Sequence, residues 1–167
     1  QIVFRGAGDA STDLFLIAAA GGDSKRLTVE SSRDGSPDWS PDGSQIVFTS
    51  DRGGRSELWI LTILTGSAAP LTSQSPPDPN YSAGNPTWSG NRILFSADVG
   101  GSIDIYSISA SGGAWTKVTS RAGGEFHPAA SKDGRIAFVD DETGFRNLFV
   151  LETDGRITSV VEDRTDI

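Results

Sequence analysis

The chain has 167 residues and a formal net charge of -8, and neither Lys nor Arg forms a run. A surface of that sign repels phosphate backbones and acidic lipid headgroups, so nucleic acid is excluded as an expected partner, and no apolar run approaches the length that crosses a bilayer, so membrane insertion is not expected. There is no Cys, which removes a disulfide framework, a thiol nucleophile and Cys-ligated zinc.

Gly (20) and Pro (8) fall at turn spacing, and no segment keeps a helical period over three turns, so the chain is expected to be all-β and a single domain. It contains no Met and opens inside a strand pattern, at Gln1-Ile2-Val3-Phe4, as a processed or excised chain would. A secretory leader would then already be lost.

Two apolar words recur in step. Ile2-Val3-Phe4 returns as Ile46-Val47-Phe48, Ile93-Leu94-Phe95 and Ile136-Ala137-Phe138, at intervals of 44, 47 and 43 residues. Leu14-Phe15-Leu16-Ile17, Leu58-Trp59-Ile60-Leu61, Ile105-Tyr106-Ser107-Ile108 and Leu148-Phe149-Val150-Leu151 keep the same intervals. A period in the forties predicts a β-propeller of about four repeat units and roughly fifteen strands, either a small four-bladed ring or an arc of a larger one.

The units fall approximately at 1–36, 37–85, 86–127 and 128–167, and each full unit parses into strands a to d. The first begins late, with b at Ile2, c at Asp13 to Ala18, d at Arg26 to Thr28 and no strand a. In the second, a is Pro37 to Ser40, Pro41-Asp42-Gly43 turns the chain, b is Gln45 to Thr49, c starts at Glu57 and d is Ala69 to Thr72. The third has a at Pro86 to Ser89, b at Arg92 to Ser96, c at Asp104 to Ser109 and d at Lys117 to Thr119. The fourth has a at Pro128 to Ser131, b at Ile136, c at Asn147 to Glu152 and d at Arg156 to Thr158. The tail 163–167 is a candidate for a short extra strand.

Strands b and c are apolar on consecutive residues, as expected when each sheet is buried on both faces. Trp39 and Trp88 are expected to wedge between blades, as is Trp59, whose truncation to Ala would cost about 3–5 kcal/mol. The fourth unit, with Ala129-Ala130 at that place, should be the loosest.

The words Pro-x-Trp-Ser-Pro-Asp-Gly, Ile-x-Phe-x-Ser-Asp-x-x-Gly, [Asp/Glu]-Leu-[Trp/Phe] and Leu-Thr resemble the repeat of TolB-type propellers, which is also that of prolyl-oligopeptidase-family propeller domains. Pro37 to Leu61 is the nearest match. The resemblance implies a bacterial, periplasmic or secreted setting and a binding surface over the central channel. It carries fold strongly and function weakly, because the matching residues build the blade.

Candidate chemistry is sparse. Acidic residues recur between b and c: Asp9 with Asp13, Asp51 with Glu57, Asp98 with Asp104, and Asp140, Asp141 and Glu142 before Asn147. Such loops can hold calcium, but a carboxylate at the same place in every unit is expected to accept its own turn's N–H groups instead, so no cofactor is expected. His127 is the single histidine, and no Gly-x-Ser-x-Gly elbow accompanies it, so no catalytic residue is assigned.

The d-to-a loops, Val29 to Ser36, Ser73 to Asn85 and Ser120 to His127, are the least repetitive segments, and blade packing does not dictate them. In Ser75-Pro76-Pro77-Asp78-Pro79-Asn80-Tyr81, the prolines lower the entropy lost on binding, and Tyr81 is read as a partner anchor. Asp78, Asn80 and Tyr81, with Arg33, Phe126 and His127, are the expected partner-binding residues. The expected function is non-catalytic binding of a protein or a glycan. The alternatives are a propeller segment of a secreted hydrolase or polysaccharide lyase, and a homodimer in which two arcs complete each other's open blades.

Overall fold

A computed structural model describes residues 1–8 and 11–161. Among the described residues, fifteen strands form four antiparallel sheets. The first blade is β1 (Ile2–Ala7), β2 (Thr12–Ile17) and β3 (Lys25–Arg26). The second is β4 (Asp34–Trp39), β5 (Gln45–Ser50), β6 (Glu57–Thr62) and β7 (Ala68–Pro70). The third is β8 (Ser82–Ser89), β9 (Arg92–Val99), β10 (Ser102–Ser109) and β11 (Thr116–Lys117). The fourth is β12 (Glu125–Ala130), β13 (Ile136–Asp140), β14 (Asn147–Leu151) and β15 (Ile157–Val161). In each sheet sequence neighbours are spatial neighbours, and among the described residues the first sheet lacks an innermost strand, as expected.

Burial shows why the sheets stack. Ile46, Val47 and Phe48 are each 0% exposed, which a strand achieves only when both faces of its sheet are covered. Leu14, Ile46, Phe48 and Leu61 form the core between blades 1 and 2, with Trp39 and Trp59 packed on it. Val47, Leu58, Phe95, Tyr106 and Ile108 are among the residues that fill the core between blades 2 and 3, with Trp88 packed on it. The wedge role expected of these tryptophans is what the packing shows. Ala130 stands at the equivalent place in blade 4, where a hollow of about 310 Å³ opens between Ala129, Ala130, Ala137 and Val150.

The four blades form an arc. Inner strand β4 packs on β1, β8 on β4 and β12 on β8, whereas among the described residues blade 1 forms no packed interface with blade 4. Apolar residues of the end blades accordingly reach solvent, Ile2 at 50% and Val160 at 54% exposure. The proposed strand from the tail 163–167 lies outside the described residues.

The inner strands start earlier than the sequence predicts. Asp34 and Gly35 already pair with Ser50 and Thr49, after which the register shifts to Asp38 opposite Val47. The same shift separates Gly84 from Thr87 and Phe126 from Ala129. Pro37, Pro86 and Pro128 sit in these gaps. A proline cannot donate to the ladder, so the strand bulges around it and resumes. The sequence shows the strand from the proline onward and hides the two or three pairs before it.

Candidate functional site

Each bulge holds its residue before proline in a left-handed conformation. The φ angles are 46° at Ser36, 49° at Asn85 and 52° at His127, the only non-glycine residues with positive φ among those described. The proline that follows disfavours helical backbone at such a residue, and the left-handed region costs a non-glycine residue about 1–3 kcal/mol. Three equivalent positions therefore share one strained geometry, in the half of each inner strand nearest the d-to-a loops.

These residues converge on the axis of the arc. Ser36, Asn85 and His127, with Pro37, Pro86, Pro128, Asp38 and Thr87, line a cavity of about 440 Å³. The bulges of blades 2 and 3 are held by hydroxyl groups of the next strand. Thr49 Oγ1 donates to the Gly35 carbonyl at 2.9 Å, and Ser96 Oγ to the Gly84 carbonyl at 3.2 Å and to Asn85 Oδ1 at 2.9 Å. Blade 4 carries Val139 at the corresponding place, so no hydroxyl holds the His127 bulge. Among the described residues the side chains of Ser36 and His127 have no hydrogen-bond partner, and that of His127 is exposed. Asp38 binds blade 2 to blade 3: its Oδ2 accepts from Trp88 N at 2.9 Å and Thr87 Oγ1 at 3.1 Å, and its Oδ1 accepts from Trp39 N.

A second hollow of about 320 Å³ adjoins the first, sharing Asn85, and is lined by Ser56, Ser82, Ser96, Asp98 and Phe126 among others. Phe126 is half-buried, with the Arg146 guanidinium 5.9 Å from its ring centre. A Cβ on Gly124 would stand 2.7 Å from the Phe126 ring, so only glycine lets the ring lie there.

Of the expected binding residues, His127 lines the first cavity and Phe126 the second. Arg33 is exposed at the loop end, its N–H donating to Asp51 Oδ1 at 2.7 Å. Asp78 accepts from Asn80 N at 2.7 Å in a local turn, and Asn80 is exposed. None of these three lines either axial cavity. Tyr81 is a correction: it is 3% exposed, and packs edge-on against Trp115 with ring centres 4.8 Å apart. Its hydroxyl reaches Glu57 Oε1 at 3.2 Å and Thr72 Oγ1 at 3.3 Å. Tyr81 anchors the loop to its own core. The Arg55 guanidinium lies 4.8 Å from its ring centre and donates to the Pro79 carbonyl, so the same loop is pinned from outside. Ser36, Asn85, Asp38 and Thr87 were not expected, although a polar residue before the proline of each unit was a visible signal.

The acidic loops are occupied by internal donors. Asp13 pairs with Arg26 at 2.7 Å, Glu57 with Arg55 at 2.9 Å, Asp104 with Lys117 at 2.8 Å and Asp140 with Arg121 at 2.5 Å. Asp98 and Asp141 accept from the N–H groups of Gly101 and Gly124. Among the described residues no three His or carboxylate side chains converge on a point that could hold a metal ion. Asp9 lies outside the described residues. Glu125, fully buried on β12, accepts from Thr119 Oγ1 and Arg121 N. Burial pushes its carboxyl up from the usual range, while those hydrogen bonds pull the other way.

The family model described as the TolB beta propeller domain matches residues 1–85, just over half of the chain. The chain belongs to the TolB β-propeller family. The Tol-Pal system protein TolB of Anaeromyxobacter dehalogenans is 38% identical over 100 residues, covering 60% of this chain and 22% of that relative. The TolB homolog of Chlorobium luteolum is 31% identical over 154 residues, covering 91% of this chain and 34% of the relative. This TolB-family chain therefore spans about a fifth to a third of the length of these curated relatives.

Among solved structures, TolB from Acinetobacter baumannii superposes with a TM-score of 0.80 at 22% identity, over 96% of this chain and 41% of that one. Puromycin hydrolase does so at 0.70 and 17% identity, over 94% of this chain and 26% of that one. At these identities the likeness is one of fold alone.

Proposed function

We propose that this TolB-family arc is a non-catalytic protein-interaction module of a periplasmic Tol-Pal-type assembly, and that it engages its partner over the mouth of the axial channel. The observation that carries the proposal is the shared left-handed geometry of Ser36, Asn85 and His127. Backbone strain repeated at three equivalent positions, with two of the three side chains unused by the fold, is conformational cost maintained at one place. The divergent d-to-a loops end at the same face, where partner contacts are free to vary.

The test uses glycine, which keeps the left-handed backbone while removing the side chain. The other components of a Tol-Pal system are titrated onto the immobilised chain, wild type against the double variant Asn85→Gly/His127→Gly. One component should bind, and the variant should bind it at least ten-fold more weakly while its melting temperature does not fall. Equal binding by the variant contradicts the proposal. So does turnover of a peptide, ester or glycan substrate that disappears when one loop carboxylate is removed.

A further inference from the structure

The axial cavity has a composition that selects among ligands. Its wall carries three proline rings, Pro37, Pro86 and Pro128, one from each inner strand. Its one carboxylate is Asp38, and neither Lys nor Arg lines it. Asp38 Oδ2 accepts two hydrogen bonds, but Oδ1 accepts only the Trp39 N–H, 3.0 Å away, and so keeps a lone pair to offer. The remaining polar lining, Ser36, Asn85, Thr87 and His127, contains no fixed positive charge. The chain as a whole carries -8, so a cationic group is drawn toward it and an anionic one is repelled.

A long basic side chain fits each of these features. Lys and Arg keep an aliphatic stem on apolar surface while their charged head seeks polar company. Resting on the partner-binding face proposed above, we propose that the channel receives one basic side chain of the partner protein. The stem lies along the proline rings, and the cationic head donates to Asp38 Oδ1 and to the lining hydroxyls. A carboxylate-bearing segment would meet Asp38 as a like charge, and a neutral apolar side chain would leave Asp38 without compensation.

The experiment titrates the ¹⁵N-labelled chain with N-acetyl-lysine methylamide, and then with the arginine, norleucine and glutamate counterparts, following the amides of Ser36, Asn85, Thr87 and His127. The lysine or the arginine compound should shift these resonances saturably, and whichever binds more tightly identifies the head group. Norleucine, which keeps the stem and loses the charge, should bind at least ten-fold more weakly, and glutamate should not bind. Asp38→Asn should weaken the basic compound by a similar factor. Because that variant also disturbs the contact between blades, the norleucine comparison on the unaltered protein stands independently of it. Equal shifts from lysine, arginine and norleucine, or binding of glutamate alone, overturn the inference. If no basic compound binds while a Tol-Pal component still loses affinity for the Asn85→Gly/His127→Gly variant, the inference fails and the interaction face stands.

Discussion

The hydroxyl of Thr72 accepts the backbone N–H of Leu58 at 3.0 Å, closing strand d onto strand c where the sheet ladder has already ended. The identical bond joins Thr28 to Leu14 and Thr119 to Ile105, each at 3.0 Å and each across fourteen residues. One residue earlier, Leu27, Leu71 and Val118 donate to the carbonyls of the same three partners at 2.8 Å. The recurring Leu-Thr word is therefore a clasp: Leu27 and Leu71 pack into the cores between blades, and the threonine of each copy satisfies a buried donor.

Replacing Thr72 by Val keeps the shape and removes the acceptor. The buried Leu58 N–H is then left unpaired, a cost of about 1–3 kcal/mol. Urea denaturation should show that loss in Thr72→Val, and a comparable one in Thr119→Val.

Asp38 should matter to stability as well as to binding. Asp38→Ala removes the acceptor that ties the Trp88 N–H and the Thr87 hydroxyl of blade 3 to blade 2, and is expected to cost about 1–3 kcal/mol. Hydrogen exchange should show the faster opening concentrated at Trp88 and its neighbours in β8.

Tyr81 sets an alkaline limit. Burial pushes its hydroxyl up to about 12 from an ordinary 10.0, since the buried phenolate would lose its water. With the folded-state value raised, the stabilisation is fully present below pH 10 and is lost as pH rises toward 12. Denaturation midpoints measured from pH 9 to pH 12 should fall in the wild type and fall less in Tyr81→Phe. That variant should also start about 1 kcal/mol lower at neutral pH, having lost the bonds to Glu57 and Thr72.

His127→Gly should move stability and binding in opposite directions. Glycine relieves the left-handed strain in the one bulge that no hydroxyl clasps, for a net gain of about 1 kcal/mol once its own entropic cost is subtracted. Thermal unfolding should therefore shift upward while partner affinity falls. A melting temperature that drops would show that the imidazole packs as part of the fold.

Much of the fold was legible because the b and c strands are apolar on consecutive residues, a pattern that follows from burial of both sheet faces. The words Ile46-Val47-Phe48 and Leu58-Trp59-Ile60-Leu61 needed no tertiary information to be recognised as sheet interior. Strand a was legible only from its proline onward, since Asp34 and Gly35 look like loop until their pairing with Ser50 and Thr49 is seen. Tyr81 was misread for a related reason. After three prolines a tyrosine resembles a tethered, outward anchor, and its burial depends on Trp115, contributed by the next blade thirty-four residues later. The axial site was half legible. His127 stood out as the single histidine, but the equivalence of Ser36, Asn85 and His127 becomes a site only when the stacking of the blades turns three separate bulges toward one axis.

Hydrogen exchange on the chain with and without the Tol-Pal component proposed as its partner tests the central claim most directly. Slowed exchange confined to 33–36, 82–85 and 125–128 is the expected result, since these segments carry the bulges whose residues line the axial cavity. Slowed exchange confined to the a-to-b and c-to-d turns at 40–44, 63–67 and 131–135, on the opposite face, would contradict it.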